Sequence, residues 1–164
     1  MLSRKAKYAL RALTVLAQAQ PDQLQARVIA QQAAVPEKFL ETILVELKRA
    51  GLVTSRRGSD GGHSLARPAG LVMVGEIIRV IDGPIAPIRC ASVTAYQPCA
   101  DCVDPAGCAL RLLMGDVRNA MASVIDQCSL QQMADRETAS APADGAFQSP
   151  SYHFANEASG NLPQ

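Results

Sequence analysis

Tryptophan is absent from this 164-residue sequence, and tyrosine and phenylalanine number only three each. A core must therefore be assembled mostly from Ala, Leu, Val and Ile. At this length one domain with room for an appendage is the expectation, and the chain can bury a real core. No apolar run approaches the roughly 20 residues of a membrane-spanning helix. No secretory leader is expected either. The start Met1-Leu-Ser-Arg-Lys-Ala-Lys is basic, but an amphipathic helix pattern follows it in place of an apolar block and a small-residue cleavage site. The expected compartment is the cytoplasm, where thiols stay reduced. No Ser/His/Asp arrangement, phosphate-binding loop or paired carboxylate set is present, so the reading is that the chain is not an enzyme.

What is present is unevenly distributed. Residues 1–67 carry 11 Lys/Arg against 5 Asp/Glu, a net of +6, whereas residues 68–164 carry 5 against 10, a net of −5. A basic half on a chain of overall charge +1 is an electrostatic footprint for a polyanion such as DNA.

The periodicity of that half gives three helices and a hairpin. Residues 3–19 form the first helix, with Ser3 as N-cap and Ala6, Ala9, Leu10, Leu13, Leu16 and Ala17 in one stripe. Residues 25–34 form the second. After the Val35-Pro36 break, residues 36–50 form a third. Its expected buried face is Phe39, Leu40, Ile43, Leu44 and Leu47, which leaves Lys38, Glu41 and Thr42 for solvent or a ligand. Residues 52–57 and 63–66 alternate like strands around Gly58-Ser59-Asp60-Gly61-Gly62. The expected fold is mainly α with a small β-hairpin wing, a winged helix-turn-helix domain extended by a long dimerisation helix. The third helix would enter the major groove of double-stranded operator DNA, where Glu41 can accept from a cytosine amino group. Arg56 and Arg57 beside the glycine-rich tip would reach phosphates or a narrow minor groove. Gly61 and His63 complete the candidate DNA-facing set.

Residues 71–82 read as a further helix, with Ile77 and Ile81 among its apolar positions. Four of the five cysteines then fall in one stretch. Eight residues separate Cys90 from Cys99, two separate Cys99 from Cys102, and five separate Cys102 from Cys108. Four thiols in one loop suggest an iron–sulfur cluster, two-iron favoured and four-iron possible. Tetrahedral zinc is the alternative, although only Cys99/Cys102 forms the tight knuckle that zinc usually takes in pairs. A thiol switch is the other rival. Asp101 and Asp104 make the loop acidic and disfavour free thiolates. Cys128 lies outside the loop and reads as a small buried residue.

A long helix over 106–127 follows, with Leu110, Leu113, Val117, Met121 and Val124 in one apolar stripe. Such a helix outside a winged domain wants a partner, and a homodimer suits a palindromic operator. The expected organisation is a winged domain at 1–83, a cysteine loop at 84–105, a dimerisation helix and end segment at 106–134, and a disordered tail at 135–164. The Tyr152-His153-Phe154 island in that tail has no assigned role.

Several segments together resemble the Rrf2 family of bacterial winged helix-turn-helix transcription regulators, IscR- and NsrR-like. They are Lys7-Tyr8-Ala9-Leu10-Arg11-Ala12-Leu13, Phe39-Leu40-Glu41, Leu47-Lys48-Arg49-Ala50-Gly51-Leu52-Val53, Arg57-Gly58 and Gly61-Gly62-His63-Ser64-Leu65-Ala66-Arg67. Gly75-Glu76-Ile77-Ile78-Arg79-Val80-Ile81-Asp82-Gly83 and the cysteine loop follow in the same order. The resemblance covers residues 1 to about 134. It implies a homodimer, read here as a repressor, whose operator binding changes with the state of an iron–sulfur cluster that senses iron, redox or nitric oxide. By analogy Lys38 and Glu41 lie where base-contacting residues fall, and Arg57 where a wing arginine enters the minor groove. Cys90, Cys102 and Cys108 fall near the family's three cysteine positions. Where some members carry a histidine ligand, three residues after the last cysteine, this chain has Arg111, which leaves Cys99 as the candidate fourth ligand. The two rivals are a zinc-stabilised or thiol-switched DNA-binding protein and a small iron–sulfur electron carrier.

Overall fold

Ser3 starts the chain's first helix, α1 (Arg4–Gln18), by accepting the Ala6 N–H on its hydroxyl at 3.0 Å. The same residue donates its backbone N–H (2.8 Å) and its hydroxyl to Asp82, so the start of α1 is tied to the far end of a later helix. The computed structural model describes residues 2–58, 61–102 and 104–139. α1 presents Ala6, Ala9, Ala12, Leu13 and Leu16 as a fully buried face. Its three alanines let neighbouring helices approach closely, which suits a chain poor in aromatics. α2 (Ala26–Gln32) and α3 (Glu37–Arg49) pack on it and on each other. The turn between them carries Ala34 at φ +51°, a left-handed position that costs a residue with a Cβ about 1–2 kcal/mol.

The wing is β1 (Val53–Arg56) paired antiparallel with β2 (Gly62–Leu65), in the register Val53–Leu65 through Arg56–Gly62. A short extra pairing, Leu24 with His63, docks the wing on the α1–α2 connection. Gly62 is required there, because a Cβ would lie 2.7 Å from the Leu24 carbonyl oxygen. After a 3-10 turn at Ala69–Leu71 comes α4 (Val74–Asp82), and the cysteine loop contains a second 3-10 turn at Arg89–Ala91. α5 (Ala109–Ile125) is shorter than the 106–127 expected from its pattern.

A further helix, α6 (Leu130–Ala139), was not anticipated as a separate element. Leu130 is wholly buried and Ala134 nearly so, in the same core as Leu13, Leu16, Ile29, Leu40, Ile43, Leu47, Leu52 and Ile77. The chain thus returns to the winged half after α5. Two backbone bonds fix the return, Val74 N–H to Cys128 O (2.9 Å) and Leu130 N–H to Val72 O (2.8 Å). The helix also runs five residues past the expected start of the tail at 135. The rest of that tail, with Tyr152, His153 and Phe154, lies outside the described residues.

The architecture is mainly α with a two-stranded wing, as the sequence indicates. One core assignment is corrected. Phe39, placed by periodicity with Leu40 and Ile43, is 60% exposed, because it sits at the edge of the α3 apolar arc and meets Tyr8 there instead of the core.

Candidate nucleic-acid interface and cysteine loop

The solvent side of α3 is one continuous stripe. Lys38, Glu41, Thr42, Val45 and Arg49 recur at three- and four-residue steps and are all exposed. Glu37 lies in the first turn and Lys48 and Arg49 in the last, the arrangement that complements the helix dipole. The helix is held from both sides. Lys5 of α1 pairs with Glu46 at 2.6 Å, and Lys48 Nζ donates to Ser55 Oγ of the wing at 2.5 Å. Arg56 and Arg57 are exposed at the end of β1 beside the tip, which a Gly61 N–H to Gly58 O bond closes at 3.0 Å.

His63 pairs with Ser55, one rung below the Arg56–Gly62 pair that leads into the tip. It exchanges two backbone hydrogen bonds with Leu24, at 2.8 and 2.9 Å. Its ring is half-buried, and Nδ1 is buried without a partner. Burial first, and the Lys48 charge second, hold its pKa below the usual 6.5.

Cys90 is buried in the 3-10 turn, Cys99 is exposed, and Cys102 and Cys108 are half-buried; Cys108 immediately precedes α5. All five cysteines are free thiols. The four loop thiols interact. Side-chain hydrogen bonding with Cys90, followed by desolvation and by the charges of Cys90, Cys102 and Asp101, pushes Cys99 up to about 11. Desolvation raises Cys102, with hydrogen bonding to Cys108 and the charges of Cys108, Cys90 and Asp101 adding to it. Asp101 therefore acts as its position in the sequence suggests. Among the described residues no three His, Cys, Asp or Glu side chains form a metal-holding arrangement. The loop instead presents two thiol pairs, Cys90 with Cys99 and Cys102 with Cys108. Its donor chemistry, four cysteine sulfurs in one loop, fits a thiophilic metal centre. Cys128 stands apart, with its thiol 3.6 Å from the Ser129 carbonyl oxygen, and is half-buried instead of fully buried.

Two arginines of α5 dock the loop. Arg111 Nε donates to the Cys90 carbonyl at 3.0 Å and Nη1 to the Pro105 carbonyl at 3.1 Å, while its guanidinium lies 5.6 Å from the Tyr96 ring centre. Arg118 Nη1 donates to the Ala91 carbonyl at 2.7 Å. Between turn and helix lies an open cleft of about 380 Å³ lined by Cys90, Ser92, Arg111, Gly115, Arg118 and Asn119. Neither arginine was a sequence candidate. The signal was their seven-residue spacing, two turns apart on one helix face.

The other side of α5 is bare. Leu110, Leu113 and Val124 are each more than half exposed, and Val117 and Met121 are at 38%. None of the α5 residues is buried. Its far end is locked to α4, where Asp126 accepts from Arg79 at 2.6 and 2.8 Å. The carboxylate packs against Gly75, where a Cβ would collide with it.

Comparison with known proteins agrees with this geometry. The family model described as Rrf2, iron-dependent transcriptional regulator, matches residues 2–136. An rrf2-like HTH-type transcriptional regulator of Rhodobacter capsulatus is 43% identical, over 81% of this chain and 91% of that protein. The solved structure of CymR, the global cysteine regulator of B. subtilis, aligns at TM-score 0.68 and 31% identity, covering 83% of this chain and 97% of that one. IscR of T. potens aligns at TM-score 0.68 and 27% identity, covering 88% and 93%.

Proposed function

This chain belongs to the Rrf2 family of transcriptional regulators, and from that premise we propose that it is a homodimeric repressor whose operator binding is set by an iron–sulfur cluster on Cys90, Cys99, Cys102 and Cys108. The observation that carries the reading is the joint between α5 and the loop. Four interacting thiols lie beside a helix whose N-terminal half grips the loop and whose C-terminal end is bonded to α4.

Glu41 accepts from a cytosine amino group in the major groove, and Lys38, Thr42 and Arg49 contact neighbouring base edges or phosphates. Arg56 and Arg57 reach the adjacent backbone or minor groove from the wing, which Lys48 holds at a fixed angle to α3. Gly61 and His63 shape the wing. α5 pairs with its copy through Leu110, Leu113, Val117, Met121 and Val124, which sets the spacing of two recognition helices on a palindrome. A bound cluster would supply a centre sensitive to iron supply, electrons and nitric oxide. Arg111 and Arg118 keep the turn carrying Cys90 against α5, so a change at the thiols reaches the dimer helix. A coupling of about 1–3 kcal/mol is ordinary for such a device.

The pairing of thiols favours one second reading, a switch without iron. Cys90 and Cys99 would close a disulfide, passing two electrons to a disulfide or peroxide oxidant and releasing two protons. The likeness to a cysteine regulator points the same way.

Anaerobic purification with visible absorption and metal analysis separates the two. A brown protein holding iron and sulfide, whose operator affinity differs from that of the cluster-free form at matched salt, supports the cluster. A colourless protein, with zinc or with a reversible Cys90–Cys99 disulfide, supports the alternatives. Equal affinity in every state sinks the sensing idea. Glu41→Ala should cost about 1–3 kcal/mol and relax specificity at one base pair.

A further inference from the structure

We propose that Phe39 is a base-reading residue whose ring, backed by Tyr8, contacts the 5-methyl group of a thymine in the major groove. This rests on α3 being the recognition helix.

Within α3, Leu40 and Leu47 are 0% exposed and Ile43 is 2% exposed, whereas Phe39 is 60% exposed. A lone exposed apolar side chain is ordinary and by itself says nothing. Its surroundings give it meaning. Phe39 follows Lys38 and lies one turn before Thr42, so it borders the exposed stripe of Lys38, Glu41, Thr42 and Arg49. Tyr8 of α1, half-buried, stands beside it with ring centres 6.4 Å apart and planes tilted by 49°. Tilted aromatic pairs at this distance attract, which limits the directions the Phe39 ring can take. Around Tyr8, Lys7 and Arg11 are exposed cations of the half whose net charge is +6.

An apolar ring thus stands between the exposed stripe of α3 and the cations Lys7 and Arg11 of α1. The edges of base pairs in the major groove offer donors, acceptors and one apolar group, the thymine methyl. That group is the partner a groove-facing phenyl ring can use. Glu41, two residues on, selects by hydrogen bonding. Phe39 adds a preference that hydrogen bonding cannot provide, because uracil and thymine present the same acceptor.

The test uses duplexes selected by the full-length protein from a random pool. Each selected duplex is remade with uracil in place of thymine, one position at a time, which removes only a methyl group. For the native protein, one position per half-site should weaken binding about fourfold on substitution, the worth of one buried methyl. For Phe39→Ala that difference should vanish, while binding to the thymine duplex falls. Since the ring is largely exposed, the variant should melt within a few degrees of the native protein. Three results would overturn the proposal: tolerance of uracil everywhere by the native protein, an unchanged uracil penalty in Phe39→Ala, or dissociation of a native dimer by Phe39→Ala, which would assign the ring to a protein interface. Selection of no duplex at all is a different result, and rejects DNA binding itself.

Discussion

His63 serves the wing with its backbone and burdens it with its ring. Its peptide group makes both bonds that seat the wing on Leu24, while its imidazole lies half-buried beside Lys48 with Nδ1 unpaired. The folded state therefore disfavours the imidazolium, and the pKa is lowered below 6.5 by burial and then by Lys48. When the folded pKa is the lower one, the unfolded chain binds more protons as pH falls through the ordinary histidine range, so stability is full above that range and declines below it. Melting temperature should fall between pH 7 and pH 5.5, and His63→Gln should flatten that slope; equal slopes would show that the ring is not the group responsible. Single residues were the least legible part of the sequence. Periodicity placed Phe39 in the core because positions 39, 40, 43, 44 and 47 span one arc, and only the packing partner decides which edge of an arc stays wet. Arg111 registered as a missing histidine. A guanidinium reaching two carbonyls across a loop leaves no local pattern, since its partners are 21 and 6 residues away.

Among the elements, α5 inverts the usual arrangement. Arg111 and Arg118 face its own chain, and Leu110 and Leu113 face away. The apolar period was evident in the sequence, but which side would meet the chain was not, because amphipathicity gives a stripe without a direction. The polar side does specific work. Arg111→Ala would remove two hydrogen bonds and a ring contact that together close the cysteine loop. Amide exchange over residues 89–97 should accelerate, as should cleavage by a protease added to the native protein, with little change in global melting. Arg111→Lys should not restore protection, because one ammonium cannot reproduce the planar fork that reaches both carbonyls. Unchanged exchange in Arg111→Ala would mean that the loop is held by its other contacts. α6 went unseen for a related reason. Leu130, Met133 and Ala134 have helical spacing, but the polar residues around them diluted the signal that tertiary burial later supplies.

At the scale of the whole molecule, the exposed Leu110, Leu113, Val117, Met121 and Val124 leave one apolar stripe of α5 in water. Pairing with a second copy would remove them from water. Leu113→Glu puts two carboxylates into such an interface, and the protein should then sediment as a monomer at micromolar concentration. Operator binding should weaken more than binding to nonspecific DNA, because bivalence is lost while the charge of each half is retained. A native protein that is itself monomeric, or a variant that stays dimeric, would remove α5 from that role. The family and the winged half were readable from the order of motifs, whereas the attachment of the C-terminal helix was not, since it depends on contacts between residues more than 50 apart in the chain, such as Val72 with Leu130.

That attachment orders events during synthesis. Leu130 and Ala134 complete the core on which α1 and α3 rest, so a nascent chain halted before them lacks part of the platform for α3. The core of the winged half is therefore complete only once the cysteine loop and α5, which precede Leu130 in the chain, have left the ribosome.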